Sequence, residues 1–352
     1  MVDSSWITNR LRTKPGLTKG QREAVSQMRV LVTGMGGEIG TRVAQLLEAN
    51  PEVTEIAGVD FVPPRRRLRR SEFRRIDPRD REKLANFVME FAPDAVAHFG
   101  VYEPGSRLSP RLAAIYSHSC TVTALGAAAR TGKLQRVAVR SGLEVYGRGR
   151  GRPGVPDEEA TVAPSTPYGR TCLEVEAIAA DLGRRHEVPV VALRMAPVAG
   201  SHVPSPLGRV LRLPAVPVPA FADPAFQLLH VHDAAQGMVL ALLAGINGPL
   251  NLVGPGAASV WQAVRLGGRI PVPVVGPAWT LATHAAELAG ASMPPHIVEL
   301  LNRGRSGDGS RAVDVLGLNE MRPTQEVCAE LFEWATVTPL HVPESSAISV
   351  KR

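Results

Sequence analysis

Cysteine is scarce in this 352-residue sequence, which contains only Cys120, Cys172 and Cys328. These residues lie far apart and lack the paired spacing of a structural zinc site or of a redox CxxC motif. We therefore predict reduced, buried thiols and no metal site. The two histidines of LHVHD, His230 and His232, alternate along a predicted strand, but no third ligand lies at a familiar spacing, so they do not change this prediction.

Long apolar runs are also missing. No stretch reaches the roughly 18 uninterrupted apolar residues of a membrane helix, because glycine and proline interrupt every candidate, including residues 242–260. The first twenty residues lack the apolar segment of a secretory signal. Because 44% of the residues are hydrophobic, the chain can bury a substantial core. We expect a globular, cytoplasmic protein without a membrane partner.

Aromatic residues make up only 5% of the chain, whereas the net charge is +7 and comes almost entirely from arginine. The arginines are densest in RRRLRRSEFRR, residues 65–75, followed by Arg79 and Arg81. Nearby carboxylates favour a solvated loop, and only Phe73 interleaves the cluster, so base stacking is poorly supported. Nucleic acid is therefore not favoured. Polyanion or RNA binding through the Arg65–Arg81 face stays open and would depend steeply on salt.

The chain from about Arg29 alternates short β-branched runs with helix-like segments, which is typical of a parallel sheet with crossover helices. We predict an α/β fold, a Rossmann-type doubly wound parallel sheet with a smaller irregular C-terminal lobe. The predicted strands are 29–34, 53–60, 73–77, 94–100, 136–142 and 190–196, and the predicted helices are 41–49, 81–91, 112–131 and 168–185. The predicted divisions are a flexible N-terminal tail 1–27, a Rossmann domain 28–198, a substrate-type lobe 199–336 and a C-terminal tail 337–352.

A glycine-rich turn follows the first predicted strand in VLVTGMGGEIG, with Gly34, Gly37 and Gly40 at the start of the next helix. Such a turn lets the backbone approach a pyrophosphate at the positive end of a helix. Asp60 ends the second strand twenty residues later, and this context predicts a dinucleotide site. A carboxylate there accepts hydrogen bonds from a free 2′-hydroxyl and repels a 2′-phosphate, so NAD is favoured over NADP.

Several ordered motifs resemble those of the extended short-chain dehydrogenase/reductase family, which contains NAD-dependent nucleotide-sugar epimerases and dehydratases. The resemblance runs from about Arg29 to Trp334. The matching segments are TGMGGEIG for the family's TGxxGxxG, IDPRD for its adenine-contacting acid, AHFG for its fourth-strand contact, SGLEVYG for SSxxVYG, PYGRTC for PYGxSK, and LLHVHDAAQG for its HVxD segment. The cofactor contacts that the resemblance implies are Gly34, Gly36, Gly37, Glu38, Ile39, Gly40, Asp60, Asp77, Phe99, Gly100 and Tyr168.

The resemblance also implies a catalytic set from which this chain departs. In the family, a tyrosine acts as acid and base on a substrate hydroxyl, and a lysine four residues later lowers its pKa and holds the nicotinamide ribose. Tyr168 matches the tyrosine, but the lysine position is Cys172. Arg170 lies only two residues from Tyr168, so it is expected on another face of the helix.

The serine that orients the substrate oxygen in the family is also displaced. Counting back four residues from Tyr146 gives Gly142, whereas Ser141 lies one residue earlier and would face the opposite side of an extended strand. Ser141 stays a candidate if the end of the strand is twisted.

The missing lysine has a large expected effect on proton transfer. A cation about 4 Å away in an effective dielectric near 20 is worth roughly 4 kcal/mol, or about three pKa units. Without it, a phenol near pKa 10 is only about 0.1% ionised at neutral pH. We therefore expect weakened chemistry, unless another segment supplies a cation to the phenol.

Cys172 itself has two interpretations. Tyr168, Cys172, Val175, Ala179 and Leu182 recur at helical spacing, which favours a packing cysteine on an apolar stripe. The alternative is a reactive thiol activated by a histidine, for which His98 and His118 are candidates.

The substrate side differs from the family as well. Pro197 stands where the family's epimerases commonly carry an asparagine that faces the nucleotide-sugar phosphates, and FQLLHVHD lacks the arginine often found before this segment. Asp233 is present, with a structural cap as its expected role.

Three functional hypotheses follow. The first is an NAD(H)-binding epimerase/dehydratase-like protein with weakened or lost chemistry and a regulatory, scaffold or assembly role. The second is an active oxidoreductase or epimerase on an unknown, nucleotide-linked or other small-molecule substrate, with a rearranged acid/base set. The third is the polyanion-binding face. A homodimer is left open.

Overall fold

The computed structural model describes residues 28–106, 108–149, 151–200 and 203–333. The two predicted tails, 1–27 and 337–352, lie outside these residues. Seven strands form the main sheet: β1 (Met28–Thr33), β2 (Val53–Asp60), β3 (Glu72–Arg75), β4 (Ala95–His98), β5 (Arg136–Gly142), β6 (Val190–Met195) and β11 (Gly248–Leu252). Their order is β11-β6-β5-β4-β1-β2-β3, and neighbouring strands are parallel throughout. The predicted doubly wound parallel sheet is confirmed.

Five long helices pack with this sheet: α1 (Glu38–Glu48), α2 (Arg81–Phe91), α3 (Pro110–Arg130), α4 (Pro167–His186) and α6 (Val231–Ala244). α1 packs against α6, whereas α3 packs against both α2 and α4. Among the described residues, α3 is long and apolar enough to cross a membrane by length and composition alone, but 61% of its most apolar window is buried inside the protein. That burial is the property of a core helix.

Most of the remaining elements form a second layer with its own hydrophobic cluster, which includes Leu207, Phe226, Leu228, Ile297 and Leu331. Its helices are α5 (Pro206–Leu211), α7 (Val260–Leu266), α8 (Ala278–Leu288), α9 (Pro295–Arg303) and α11 (Thr324–Glu333), whereas α10 (Ser310–Leu316) packs against α6 and β11 of the main sheet. Its strands pair in three small sheets, β7 (Val198–Ala199) with β10 (Leu229–His230), β8 (Ala215–Pro219) with β13 (Ile270–Val274), and β9 (Ala225–Phe226) with β12 (Ala258–Ser259). The chain returns from this layer to the main sheet through α6 and β11.

The arginine-rich loop between β2 and β3 is tied to the end of α1. The Arg70 guanidinium donates to the carbonyl oxygens of Leu47, Glu48, Asn50 and Thr54 at 2.9–3.3 Å. The Leu47 and Glu48 carbonyls belong to the C-terminal end of α1, where a helix leaves carbonyl groups without internal partners, and those of Asn50 and Thr54 lie in the following loop and in β2. At least part of the arginine cluster is therefore used inside the fold, which agrees with the interpretation of this segment as a loop. The polyanion-binding hypothesis stays a prediction.

Candidate functional site

A crevice opens beside β1 and β4, where the strand order of the sheet reverses. In doubly wound sheets, ligands bind at the carboxyl ends of the strands at this switch point. The crevice extends from the glycine turn past Asp60 to β5. Its lining residues are Gly34, Gly37, Glu38, Ile39, Gly40, Asp60, Phe99, Val101, Tyr102, Glu103, Ser106, Leu108, Arg140, Val198, Val203 and Pro204. Most predicted cofactor contacts therefore lie along one surface.

The turn after β1 requires glycine for reasons of space as well as conformation. Gly34 has φ +68°, and a Cβ there would lie 2.5 Å from the carbonyl oxygen of Phe99. A Cβ at Gly36 would overlap the backbone oxygen of Val62. The turn leads into α1, whose N-cap residue, Gly37, makes no side-chain cap. The first N–H groups of α1 are thus available to a phosphate.

Glu38 lies in the first turn of α1 and is buried. Its carboxylate accepts from Arg42 Nε at 3.2 Å and from Arg66 Nε at 2.9 Å. The two guanidinium groups offset a negative charge that would otherwise repel a phosphate at this helix end. Arg66 belongs to the arginine-rich loop, so another member of that cluster is engaged within the fold.

Asp60 ends β2 and is almost fully buried. Its Oδ1 accepts from the backbone N–H of Phe61 at 2.7 Å and lies 3.4 Å from the Tyr102 hydroxyl. The carboxylate faces the crevice, as a ribose-binding acid requires.

Asp77, the other predicted acid, is absent from the crevice lining. It pairs with Arg79 at 2.7 Å and accepts from the Tyr116 hydroxyl at 3.2 Å. The hydrogen bond from Arg79 is the main cause that lowers the pKa of Asp77 to about 2. Tyr116 packs edge-on against Phe61, which links Asp77 to the wall near Asp60.

Phe99 and Gly100, the two predicted cofactor contacts at the end of β4, lie in different environments. Phe99 lines the crevice. Gly100 packs closely against the side chains of Cys120 and His98, because a Cβ there would lie 2.5 Å from Cys120 Sγ and 2.8 Å from His98 Cε1. His98 bonds to the hydroxyls of Thr33 and Thr121, and burial lowers the pKa of His98 to about 3.

Tyr168 lies in the first turn of α4, where the Thr166 side chain caps the helix and Pro167 occupies its first position. The phenol is buried, and its ring lies against the imidazole of His296 with centroids 4.8 Å apart. His296 Nε2 is 3.3 Å from Glu103 Oε1, a residue of the crevice lining. Burial raises the pKa of Tyr168 well above its ordinary value, while the Arg140 guanidinium lowers it. The phenol is therefore a proton donor at neutral pH.

Cys172 follows one turn later on α4 and is fully buried. Burial and the Glu144 carboxylate raise its pKa well above the ordinary value of a thiol. The two proposed activating histidines have other partners: His98 is bound by two threonines, and His118 pairs with Glu174 at the surface. This environment favours the packing interpretation.

Ser141 points away from the crevice. Its hydroxyl donates to Glu176 Oε1 at 2.5 Å, and the same carboxylate pairs with Arg194 at 2.8 Å. The strand end is therefore not twisted in the way that would bring the Ser141 hydroxyl to the family's serine position. Arg170 is exposed, as its spacing from Tyr168 predicts.

The family's serine position is filled by a carboxylate instead. A Cβ at Gly142 would overlap Glu144 Oε2. The other oxygen, Glu144 Oε1, accepts from Arg305 Nη1 at 2.6 Å, and Arg305 Nη2 pairs with Glu299 at 2.9 Å. The Arg305 and Glu144 side chains are buried, and that of Glu299 is 10% exposed. The sequence comparison missed this group because Arg305 lies 161 residues from Glu144.

Arg140 is the second group that motif comparison missed. It lies on β5 two residues before Gly142, so the two residues share one face of the strand. Its side chain lines the crevice, and Nη1 donates to the Val101 carbonyl at 3.4 Å. Sequence spacing could have found it, since the alternation that turns Ser141 away turns Arg140 inward.

A second, wider groove begins at the start of α4 and runs over the C-terminal layer. It is lined by Ser165 and Thr166, by the segments 219–222 and 274–276, and by Trp279, Thr280, Thr283, His284, Met293, Pro295, Val298, Glu299, Asn302 and Arg303. The groove combines aromatic side chains, including Phe221 and Trp279, with the guanidinium of Arg303. Such a lining suits a partly apolar, partly anionic ligand.

His230 and His232 do not share a strand, contrary to expectation. His230 ends β10, whereas His232 lies in the first turn of α6. His230 Nε2 is 3.2 Å from both Arg322 and Glu330. Asp233 accepts from the backbone N–H of Arg322 at 2.9 Å. Within the described ranges, no group of three or more potential metal ligands is found.

Comparison with known proteins identifies relatives across most of the chain. A sequence model described as the NAD dependent epimerase/dehydratase family matches residues 30–252. An uncharacterized protein of Mycobacterium tuberculosis is 31% identical over 333 residues, which cover 89% of this chain and 86% of that protein. UDP-glucose 4-epimerase 2 of Arabidopsis thaliana is 32% identical over 188 residues, or 49% of this chain and 53% of that enzyme.

Solved structures show the same fold. UDP-glucose 4-epimerase of Thermotoga maritima, solved with UDP-glucose, has a TM-score of 0.68 at 19% identity and covers 88% of this chain and 98% of its own. The dTDP-glucose 4,6-dehydratase of Bacillus anthracis, solved with NAD, has a TM-score of 0.67 at 18% identity and covers 88% and 96%.

Proposed function

Because the chain belongs to the NAD-dependent epimerase/dehydratase family, we propose that it binds NAD(H) in the crevice and oxidises or epimerises a hydroxyl-bearing substrate with a rebuilt acid/base set. This is the second of the three sequence hypotheses. The observation that carries it is the polar set near Tyr168, in which Glu103 and Arg140 line the crevice and Glu144 occupies the position of the family's serine.

The crevice fits a dinucleotide. The glycine turn leaves a cradle that a Cβ at Gly34 or Gly36 would fill with a clash, and the uncapped start of α1 supplies N–H donors for a pyrophosphate. Asp60 would hold the adenosine ribose. When bound, NAD supplies hydride transfer. The other residues would position the substrate and hold or move its proton.

Three side chains are the proposed proton-handling groups. Tyr168 is protonated at neutral pH and can donate to a substrate oxygen. The His296 ring lies against the phenol ring, and its Nε2 lies 3.3 Å from Glu103 Oε1, so the His296–Glu103 pair would pass a proton to the crevice beside the phenol. Glu144 fills the family's serine position.

The proposed substrate class is a nucleotide-linked sugar or a similar phosphate-bearing alcohol. Support comes from the groove that begins beside α4, since Phe221 and Trp279 offer stacking surfaces and Arg303 offers a cation. It also comes from relatives whose structures contain UDP-glucose.

NAD is expected to bind at least about 10-fold more tightly than NADP, because the buried Asp60 carboxylate would repel a 2′-phosphate. Isothermal titration calorimetry with both cofactors measures this ratio. Asp60→Ala should reduce the ratio of the NADP and NAD dissociation constants, whereas the surface control Asp181→Asn should leave that ratio unchanged. Tighter binding of NADP by the unaltered protein would contradict the assignment, and failure of every nicotinamide dinucleotide to bind would remove the proposed function.

Tyr168→Phe is expected to reduce turnover by roughly 100-fold or more, because it removes the only hydroxyl of the proposed proton-handling groups. A panel of UDP- and dTDP-sugars, followed by nicotinamide absorbance and by product analysis, supplies the measurement. Cys172→Ala is the matched variant and should stay within about threefold of the original protein, since the thiol is a packing group. Loss of turnover in the cysteine variant with retention in Tyr168→Phe would reverse the two roles.

A family member that binds NAD without turnover is the second candidate. The high pKa of Tyr168 favours it, because a phenol that stays protonated is a poor base. Tight NAD binding together with no turnover on the whole panel would select this candidate.

A further inference from the structure

Arg140 has no counterpart in the catalytic set that the family's motifs describe. Its side chain extends from β5 into the crevice beside Val101 and Glu103. Its Nε is buried and has no hydrogen-bond partner among the described residues, and Nη1 makes one long bond to Val101. A buried guanidinium normally uses most of its five donors. Arg140, which lines the crevice, therefore has donor capacity that the described residues do not use.

We propose that Arg140 supplies, from the strand, the positive charge that the family places on the helix four residues after its tyrosine. In this role Arg140 is a positioning residue, which holds the reduced nicotinamide end of the cofactor and stabilises negative charge that develops on the Tyr168 oxygen. The inference rests on the proposed function, because it requires NAD(H) in the crevice.

The exchange of side-chain sizes supports this assignment. Cys172 has a short side chain and is fully buried, so the helix supplies no cation at the position of the family's lysine. Arg140 is long and reaches in from the neighbouring element. Arg170, the other arginine near the tyrosine in sequence, is exposed and points elsewhere.

The charges around Arg140 and Tyr168 also support the assignment of Arg140 as the missing cation. Glu103 and Glu144 both lie close enough to Arg140 to raise its pKa, together with Tyr168, although burial opposes them. Arg140 in turn is the foremost charge that lowers the pKa of Tyr168 against the effect of burial. Without Arg140, the phenol would lose the cation that lowers its pKa, while the Glu103 and Glu144 carboxylates would still raise that pKa.

The test compares the affinities of NAD⁺ and NADH, which differ by one positive charge on the nicotinamide ring. A fixed cation beside that ring disfavours NAD⁺, so the unaltered protein should prefer NADH. Arg140→Gln should shift the ratio of the two dissociation constants toward NAD⁺ by about 10-fold or more. Arg140→Lys should keep most of the preference, and Arg170→Gln, which removes an exposed charge, should keep all of it. Calorimetry on the full chain gives each constant without any turnover.

A double variant guards against misfolding of Arg140→Gln. Arg140→Ser with Cys172→Lys returns the cation to the family's helix position and should recover the NADH preference to within about threefold. If the unaltered protein binds both cofactors and Arg140→Gln has the same ratio, the inference is wrong although the proposed function survives. If the double variant binds NADH without a preference over NAD⁺, the inference about Arg140 is also wrong. If the unaltered protein binds neither cofactor, the proposed function itself fails.

Discussion

Arg305→Met is expected to lower the free energy of unfolding by about 3–5 kcal/mol, because it leaves two buried carboxylates without their common partner. The side chains of Arg305, Glu144 and Glu299 are only 1%, 7% and 10% exposed. Arg305 also joins the C-terminal layer to the strand end that carries Gly142. Urea unfolding followed by circular dichroism measures the loss, with an unchanged denaturant slope as the sign of a pure stability effect.

Two variants serve as controls for this prediction. Arg303→Met removes a neighbouring but exposed arginine that makes one bond to the Arg148 carbonyl, and it should cost less than about 1 kcal/mol. The triple variant Arg305→Met, Glu144→Gln, Glu299→Gln removes the charges together and should recover part of the loss. A cost below about 1 kcal/mol for Arg305→Met alone would show that the three groups do not form a buried ion network.

Gly36→Val is expected to weaken NADH binding by at least about 100-fold. Even the Cβ of the new side chain would overlap the backbone oxygen of Val62, so the turn must move and the start of α1 with it. The N–H donors that the pyrophosphate needs would then be displaced, and each factor of ten corresponds to about 1.4 kcal/mol. Calorimetric titration with NADH gives the affinity.

Gly126→Val tests whether a glycine replacement by itself causes such a loss. Gly126 lies in α3, and a Cβ there would meet nothing within 4 Å. This variant should bind NADH within about threefold of the unaltered protein. Thermal unfolding of both variants shows whether the fold is retained. Unchanged affinity in a folded Gly36→Val protein would place the cofactor elsewhere.

The parts of this protein that sequence predicted depend on local patterns. The alternation of β-branched strands and helices predicts the doubly wound parallel sheet, although β11 was not among the predicted strands. The glycine spacing with Asp60 predicts the dinucleotide site, since both signals lie within a few tens of residues. The same local reasoning predicted that Ser141 faces away from the catalytic side of β5. The structure shows its hydroxyl bonded to Glu176. Arg140 was within reach of that argument, because it lies on the face opposite Ser141.

The rest of the site could not be predicted in this way. Arg305 and His296 come from the C-terminal layer and approach Glu144 and Tyr168 only in the folded chain. No periodicity or spacing connects residues so far apart, since their contact depends on how the two layers pack. The two histidines of LHVHD show the opposite error, because a helix begins between them where a strand was expected to continue.

The transfer of a cation from helix to strand also constrains how such a site can arise. A chain with lysine at position 172 and arginine at position 140 would place two like charges in one buried space. A chain with neither cation would leave the Glu103 and Glu144 carboxylates with one opposing cation fewer. Both single-step intermediates are unfavourable, so the two positions should co-vary among homologues. A survey of related chains should find arginine at 140 paired with a small neutral residue at 172, and lysine at 172 paired with a small residue at 140.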